Sequence, residues 1–314
     1  MLRRKVFTIS FIVALLFSLF IGSSFAKGKV HHFGATYMTL NNPFFVTLNE
    51  GIKKLVESKG DKLTALDPAL DQNKQISEIE DLISQKVDAI FLNPVDWKGV
   101  KPALDEAKKA NIPIINVDAP VYDQDLVASI VASDNWNAGI LCAEDMIKRV
   151  GNKPTNVVIL EHPTAKSAID RTDSFKQEIK KYPNIKVVAD QSSMGQLEQA
   201  MPVMENILQA QKQIDVVMCL NDPTALGAIA AMESANRTKG VLVYGVDGSP
   251  DAKKMIQQGK LTATASQFPS LVGKYAAQAA YSILSGKKVE HLIKVPVQLI
   301  DKSNLAKHKV DAFE

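Results

Sequence analysis

Cysteine is nearly absent: Cys142 and Cys219 are the only two in 314 residues, and each stands in an apolar run, Ile140-Leu141-Cys142 and Val217-Met218-Cys219-Leu220. A disulfide framework is thereby excluded, one bridge at most is permitted, and two buried free thiols are the expected state. Metal-ligand spacing is lacking as well. His31-His32 lies near the start of the folded part while His162, His291 and His308 stand alone, so no zinc motif is written into the chain. A large excess of charge of one sign is also missing: 37 Lys and Arg stand against 34 Asp and Glu, and a net +3 without a basic stripe excludes the electrostatic footprint of a nucleic-acid binder. No low-complexity tract or long linker interrupts the sequence, and nothing in it calls for a cofactor.

One long hydrophobic run is present, at the beginning. Arg3-Arg4-Lys5 precede an apolar stretch over 6–25, and Ser24-Phe25-Ala26 supply small residues before Lys27. A basic start, an apolar middle and a small-residue end describe an export signal with cleavage expected after Ala26; an uncleaved anchor is the competing reading. No cysteine follows the run, which excludes lipid attachment at a new N-terminal Cys. Residues 1–26 are set apart from the fold, and a soluble protein released into a periplasm is expected.

Beyond residue 29, apolar strands alternate with amphipathic helices. Strands are predicted at 30–38, 62–66, 89–93, 114–117 and 128–131, with helices at 43–59, 73–86 and 98–110 between them. After Ser133-Asp134-Asn135 the same grammar starts again. Helices at 136–150, 167–182, 196–210, 223–235 and 250–258 alternate with strands at 156–160, 186–189, 216–220 and 241–246. A strand at 262–266, a helix at 270–284 and a last strand at 295–300 follow, before a charged tail. Strand–helix alternation with short connections implies right-handed crossovers and parallel sheets covered on both faces. Two such series imply two similar doubly wound α/β lobes, too much chain for one core.

The stretch Leu40-Asn41-Asn42-Pro43-Phe44-Phe45 sits where the first strand stops and the first helix starts. Asn42 before Pro43 is a helix start, since Pro lacks an N–H that would be an orphan donor there anyway. An amide and two rings are thus placed at the carboxyl end of a parallel strand, where open α/β sheets bind small molecules. The plainer alternative is a capped helix with Phe44 and Phe45 in the core.

The chain resembles the periplasmic substrate-binding proteins of ATP-driven sugar importers, in the ribose-binding branch, over about residues 29–300. The likeness rests on the stretch above together with Asn93-Pro94-Val95-Asp96, Ile112-Pro113-Ile114 through Asp118, and Ala132-Ser133-Asp134-Asn135. Asn221-Asp222-Pro223-Thr224-Ala225-Leu226-Gly227-Ala228, Gly245-Val246-Asp247-Gly248-Ser249-Pro250 and Ala265-Ser266-Gln267 complete it. Each motif is weak alone; their joint order is strong. The resemblance implies a type I periplasmic binding protein fold, two lobes joined by a three-segment hinge. The N-terminal lobe then comprises 27–132 plus 268–292 and the C-terminal lobe 133–267 plus 293–314, with hinge strands near 133–135, 266–268 and 293–295. It further implies a monomer that closes on a monosaccharide or polyol and delivers it to the permease of an ABC importer, without enzymatic activity.

By the same resemblance, Asn42, Phe44, Phe45 and Asp118 of the first lobe, Arg171, Asn221 and Asp247 of the second, and Gln267 at the hinge bind the ligand. Carboxylates accept hydroxyl protons, and the guanidinium fork donates to a ring oxygen and a hydroxyl together. Read without the resemblance, Asn221-Asp222-Pro223 is a helix cap, Asp247-Gly248-Ser249-Pro250 a turn with a cap, and Arg171 a surface helix charge. Two departures stand out: Ala119 occupies the place of an arginine in the ribose pattern and Gly195 that of an aromatic, which makes ribose itself doubtful. Met194, Trp136, His162 and Lys166 lie nearby and receive no role; Trp97 reads as packing. Two further functions are compatible with the residues. A sensor would present the loaded form to a chemoreceptor or histidine kinase, and a carbohydrate-active enzyme would use Asp118 and Asp247 as its acid–base pair.

Overall fold

The computed structural model describes residues 29–314; the expected export signal lies outside the described residues. The first series comprises β1 (His32–Thr36), α1 (Pro43–Ser58), β2 (Lys62–Leu66), α2 (Gln72–Ser84), β3 (Ala89–Leu92), α3 (Lys101–Lys109), β4 (Ile114–Val117) and β5 (Ser129–Ser133). The second comprises α4 (Asn135–Val150), β6 (Thr155–Glu161), α5 (Lys166–Ile179), β7 (Ile185–Ser192), α6 (Leu197–Ala210), β8 (Val216–Cys219), α7 (Asp222–Ser234), β9 (Leu242–Asp247), α8 (Pro250–Gln257) and β10 (Ala263–Ser266). Then α9 (Pro269–Leu284) and β11 (Leu292–Val295) return to the first series and β12 (Gln298–Asp301) to the second.

Two six-stranded sheets result, ordered β2-β1-β3-β4-β5-β11 and β7-β6-β8-β9-β10-β12. Every pair in the first is parallel; in the second only β12 runs antiparallel, against β10. The predicted single strand at 295–300 is in fact two. Val295 ends β11 beside Ser133 of β5, Pro296 follows, and β12 begins at Gln298 in the other sheet. Proline cannot donate to a ladder, so the chain leaves one sheet and enters the next at that point. The hinge strand expected at 293–295 is accordingly paired within the first sheet.

Alternation along each strand builds a core on both faces of each sheet. In the first, Phe33, Ala35, Phe91, Ile115 and Val117 face α1 and α9, while Ile90, Leu92, Ile114 and Ile130 face α2 and α3. Leu48, Ile52 and Val56 form the fully buried stripe of α1, each contributing about 1.5–3 kcal/mol by removal from water. In the second sheet, Val157, Ile159, Met218 and Val246 pack toward α4 and α5, and Val158, Leu160, Val217 and Val243 toward α6, α7 and α8. Both cysteines are free and buried, as expected from their contexts.

Helix starts obey the sequence. Asn42, Asp71, Asp134, Asn221 and Ser249 each accept a backbone N–H of the first turn that follows them, an interaction that stabilises a helix by about 1 kcal/mol. Among the described residues no helix is long and apolar enough to cross a membrane.

Candidate functional site

In both sheets the strand order reverses beside the first strand of the series, and the loops at the carboxyl ends of the strands meet around one cavity. Asn42, Phe44, Phe45, Asp118, Arg171, Asn221, Asp247 and Gln267 all line it. The eight residues singled out in the sequence are thus brought to one place. Met38, His162, Ser167, Met194 and Gln196 also line it, with Ala165, Ala168, Gly195 and Leu220, and sequence reasoning assigned none of these a part.

Local structure explains how each arrives. Asn42 caps α1 through Oδ1, which accepts from Phe44 N at 2.9 Å, so the capping reading and the cavity-lining reading are both correct. Phe44 and Phe45 are buried and meet edge to face with centroids 5.4 Å apart; Phe45 also stacks on Tyr37 at 6.2 Å. They belong to the core and still present carbon to the cavity. Asn221 behaves likewise: Oδ1 accepts from Thr224 N at 3.0 Å and Nδ2 donates to Gly195 O at 3.0 Å.

Arg171 lies on α5 and is only 4% exposed, which overturns the reading of a surface charge. Gly139 of α4 makes this position available, because a Cβ there would come within 2.0 Å of the Arg171 carbonyl oxygen; without one, α4 and α5 approach closely and carry the arginine inward. Its Nε donates to Asn135 Oδ1 at 2.8 Å and Nη1 to Leu220 O at 3.1 Å. The fork then lies 3.7 Å from Asp118 Oδ1 and 3.8 Å from Asp247 Oδ1. Those gaps are too long for hydrogen bonds, so the single guanidinium charge offsets part of the charge of both carboxylates without consuming their lone pairs.

Burial pushes the Asp118 carboxyl above its usual range, and the charge of Arg171 with bonds from Ser167 and Asn93 opposes that. Asp247 is pushed up further, first by burial and then by the charge of Asp222, against Arg171 and Gln267. Three of the lining residues hold positive φ without being glycine: Asp118 at 60°, Met194 at 50° and Asp247 at 139°. Backbone held in sparsely populated conformations is typical of binding sites, where surrounding structure enforces it.

Three buried polar atoms on this wall have no hydrogen-bond partner among the described residues: Asp118 Oδ1, His162 Nε2 and Gln267 Oε1. Buried polar groups are normally satisfied, so three orphans on residues that line one cavity suit a polar guest. The rim is bridged between the two sheets' loops. Trp97 N donates to Thr164 O at 3.1 Å, Thr164 Oγ1 to Val95 O at 3.3 Å, and Asn41 Nδ2 to Gln196 Oε1 at 3.4 Å. Trp97 packs edge-on against Tyr122, away from the cavity wall, and Trp136 and Lys166 line a separate surface cleft. No cluster of His, Cys, Asp and Glu suited to a metal ion occurs among the described residues.

Residues 33–288 match the family model described as "Periplasmic binding protein domain". The chain is 38% identical to the ribose import binding protein RbsB of Bacillus subtilis (strain 168) over 278 residues, 88% of this chain and 89% of that protein. Among solved structures, an ABC transporter solute binding protein from Mycobacterium smegmatis with bound glycerol is similar with a TM-score of 0.86 and 31% identity, over 91% of this chain and 100% of that one. One from Bacillus halodurans C-125 with bound myo-inositol has a TM-score of 0.83 at 28% identity, over 89% of this chain and 98% of that one.

Proposed function

The chain belongs to the periplasmic binding protein domain family, and from that premise we propose that it captures a monosaccharide or related polyhydroxyl solute between its two sheets. It then delivers the solute to the membrane permease of an ABC importer. The observation that carries this reading is the set of buried hydrogen-bonding atoms left unpaired among the residues lining one cavity, beside a guanidinium and two aromatic rings. That is the complement of a sugar: hydroxyls for the polar atoms and C–H faces for Phe44 and Phe45.

On this reading Asp118 and Asp247 accept ligand hydroxyl protons, Arg171 donates, and Asn42, Asn221 and Gln267 fix orientation. The first sheet with its helices forms one lobe and the second sheet the other. Passages near residues 134, 267 and 296 act as hinges, and the rim bonds of Trp97 and Thr164 hold the closed form. Membership of the family supports a periplasmic location; cleavage after Ala26 is part of the proposal. Both carboxylates lean on one guanidinium, an arrangement suited to holding the solute unchanged.

A thermal-shift screen across pentoses, hexoses, polyols, inositols and aminosugars tests the reading. At least one compound should raise the melting temperature progressively with concentration above its dissociation constant, and Asn42→Ala should lose that response. A screen with no stabilising compound, or turnover of a glycoside on incubation, would overturn it.

A further inference from the structure

Residues His162-Pro163-Thr164-Ala165 follow β6 and are pinned on both sides. Ala165 N donates to His162 O at 3.4 Å, and the Thr164 carbonyl accepts Trp97 N at 3.1 Å. The imidazole is only 2% exposed and fills space beside Gly195, where a Cβ would lie 3.4 Å from His162 Cδ2 and 3.2 Å from Asn221 Nδ2. Gly195 has φ +69°, so a side chain there would be strained as well as crowded. The ring therefore takes the room that residue 195 leaves.

The neighbours of the ring favour one tautomer. His162 Nδ1 lies 3.4 Å from Thr164 Oγ1, and the single proton of that hydroxyl is directed at Val95 O, 3.3 Å away. The arrangement that satisfies both contacts has Nδ1–H donating to Thr164 Oγ1 and Nε2 unprotonated; Nε2 is buried without a hydrogen-bond partner among the described residues, on a side chain that lines the cavity. Burial keeps the ring neutral by holding it down to about 4, against the opposing charge of Asp96.

We propose that His162 is a specificity-determining residue of this site, its Nε2 accepting a hydrogen bond from one particular hydroxyl of the bound solute. The inference rests on the reading of the cavity as a sugar site. It also narrows the ligand. His162 Nε2, Asp118 Oδ1 and Gln267 Oε1 are all acceptors, and two carboxylates face a single guanidinium. The cavity thus calls for a neutral compound rich in O–H donors, with a free hydroxyl against the His162 ring, and disfavours sugar phosphates and uronic acids.

The test takes the compound with the largest thermal shift and titrates it calorimetrically, with its monodeoxy and mono-O-methyl analogues and its phosphate ester, into wild type, His162→Phe and His162→Gln. Wild type should bind the parent about tenfold or more tightly than the analogue altered at one carbon, and should not bind the phosphate. His162→Phe should lose about tenfold for the parent and bring that one ratio close to one, leaving the other ratios in place; His162→Gln, which keeps an acceptor, should recover part of both. Should the Phe variant fail to fold, nitrogen-15 NMR of the wild-type imidazole supplies the same answer. Nε2 is expected unprotonated, with its resonance moving on saturation. Unchanged ratios in His162→Phe, a protonated Nε2, or a resonance that ignores bound sugar would overturn the inference. Absence of any sugar binding to wild type would instead overturn the functional reading beneath it.

Discussion

Gln267 is tied to Asp247 twice: its backbone N–H donates to Asp247 O at 3.0 Å and its Nε2 to Asp247 Oδ1 at 2.8 Å. The first bond continues the β9–β10 ladder, in which Ser266 stands beside Asp247; the second aims the amide. With Nε2 engaged, Gln267 Oε1 is buried without a hydrogen-bond partner among the described residues, on a side chain that lines the cavity. One pair therefore sets two acceptors, and the side chain that orients the amide is a carboxylate 3% exposed to solvent.

That burial makes Asp247 a cost to the unliganded protein. A carboxyl whose folded pKa is raised binds its proton more tightly in the folded state, so stability present at low pH is lost as pH rises through the folded value. Asp247→Asn removes the charge and keeps an oxygen for Gln267. At neutral pH the unliganded variant is expected to melt above wild type, the gain closing as pH falls toward the ordinary carboxylate value of about 4. Sugar binding should weaken by about 2–5 kcal/mol through loss of a desolvated charged acceptor. Melts at both pH values and calorimetry check the two halves; a variant less stable than wild type at neutral pH contradicts the first.

His162 gives the opposite pH signature. Its ring is held down to about 4 when folded but takes a proton near 6.5 when unfolded, so falling pH favours the unfolded chain across that window. Asp96, Asp118, Asp247 and Arg171 are the charged groups around it or on the same wall. Since the raised Asp118 and Asp247 work in the reverse direction, the comparison must be with His162→Gln. Wild type should lose up to about 3 kcal/mol relative to that variant between pH 6.5 and 4, read from denaturant unfolding at each pH. Parallel profiles would show that the ring titrates normally.

Asp222 separates structure from binding. Its Oδ2 accepts from Ser249 N at 2.7 Å and its Oδ1 from Thr264 Oγ1 at 2.7 Å, fastening the β9–α8 turn to β10. Burial raises its carboxyl too, yet here both oxygens are spoken for. Asp222→Ala strands two buried donors and should destabilise by about 2–3 kcal/mol, measured by chemical unfolding, where Asp247→Asn stabilises. Equal signs for the two substitutions would refute the distinction.

Much of this was legible in advance, for identifiable reasons. Strands 62–66 and 114–117 coincide with β2 and β4, because short apolar runs bounded by Asp, Gly and Pro leave little freedom of assignment. Asn42, Asp118, Asn221 and Asp247 could be placed because a strand end followed by a cap or turn sets a residue on the sheet's carboxyl edge. What could not be read depends on packing between distant segments. Nothing local to Arg171 announces burial; the hole left by Gly139 does. Likewise His162 directly follows a strand end, but its orientation depends on the space beside Gly195. The β11–β12 break hid inside an apolar run whose only marker was Pro296.

Beyond β12 the chain folds back onto the site, and this yields the last prediction. Lys253 of α8 is fully buried, its Nζ donating to Ala312 O at 2.5 Å and lying 3.4 Å from Glu314 Oε1. Between those two residues Phe313 packs edge-on against Phe44, centroids 6.4 Å apart, so the tail is anchored on the second lobe and touches a cavity ring of the first. Deleting residues 312–314 removes the partners of a buried ammonium and should cost about 3 kcal/mol. Lys253→Met should destabilise the full-length chain but rescue part of the loss in the truncated one, because there the unpaired charge is gone. Phe313→Ala, which leaves the Lys253 bonds intact, should act mainly on Phe44 and lower sugar affinity more than stability. Unfolding of the four combinations of truncation and Lys253→Met measures the coupling; additive effects would mean that the lysine does not hold the tail.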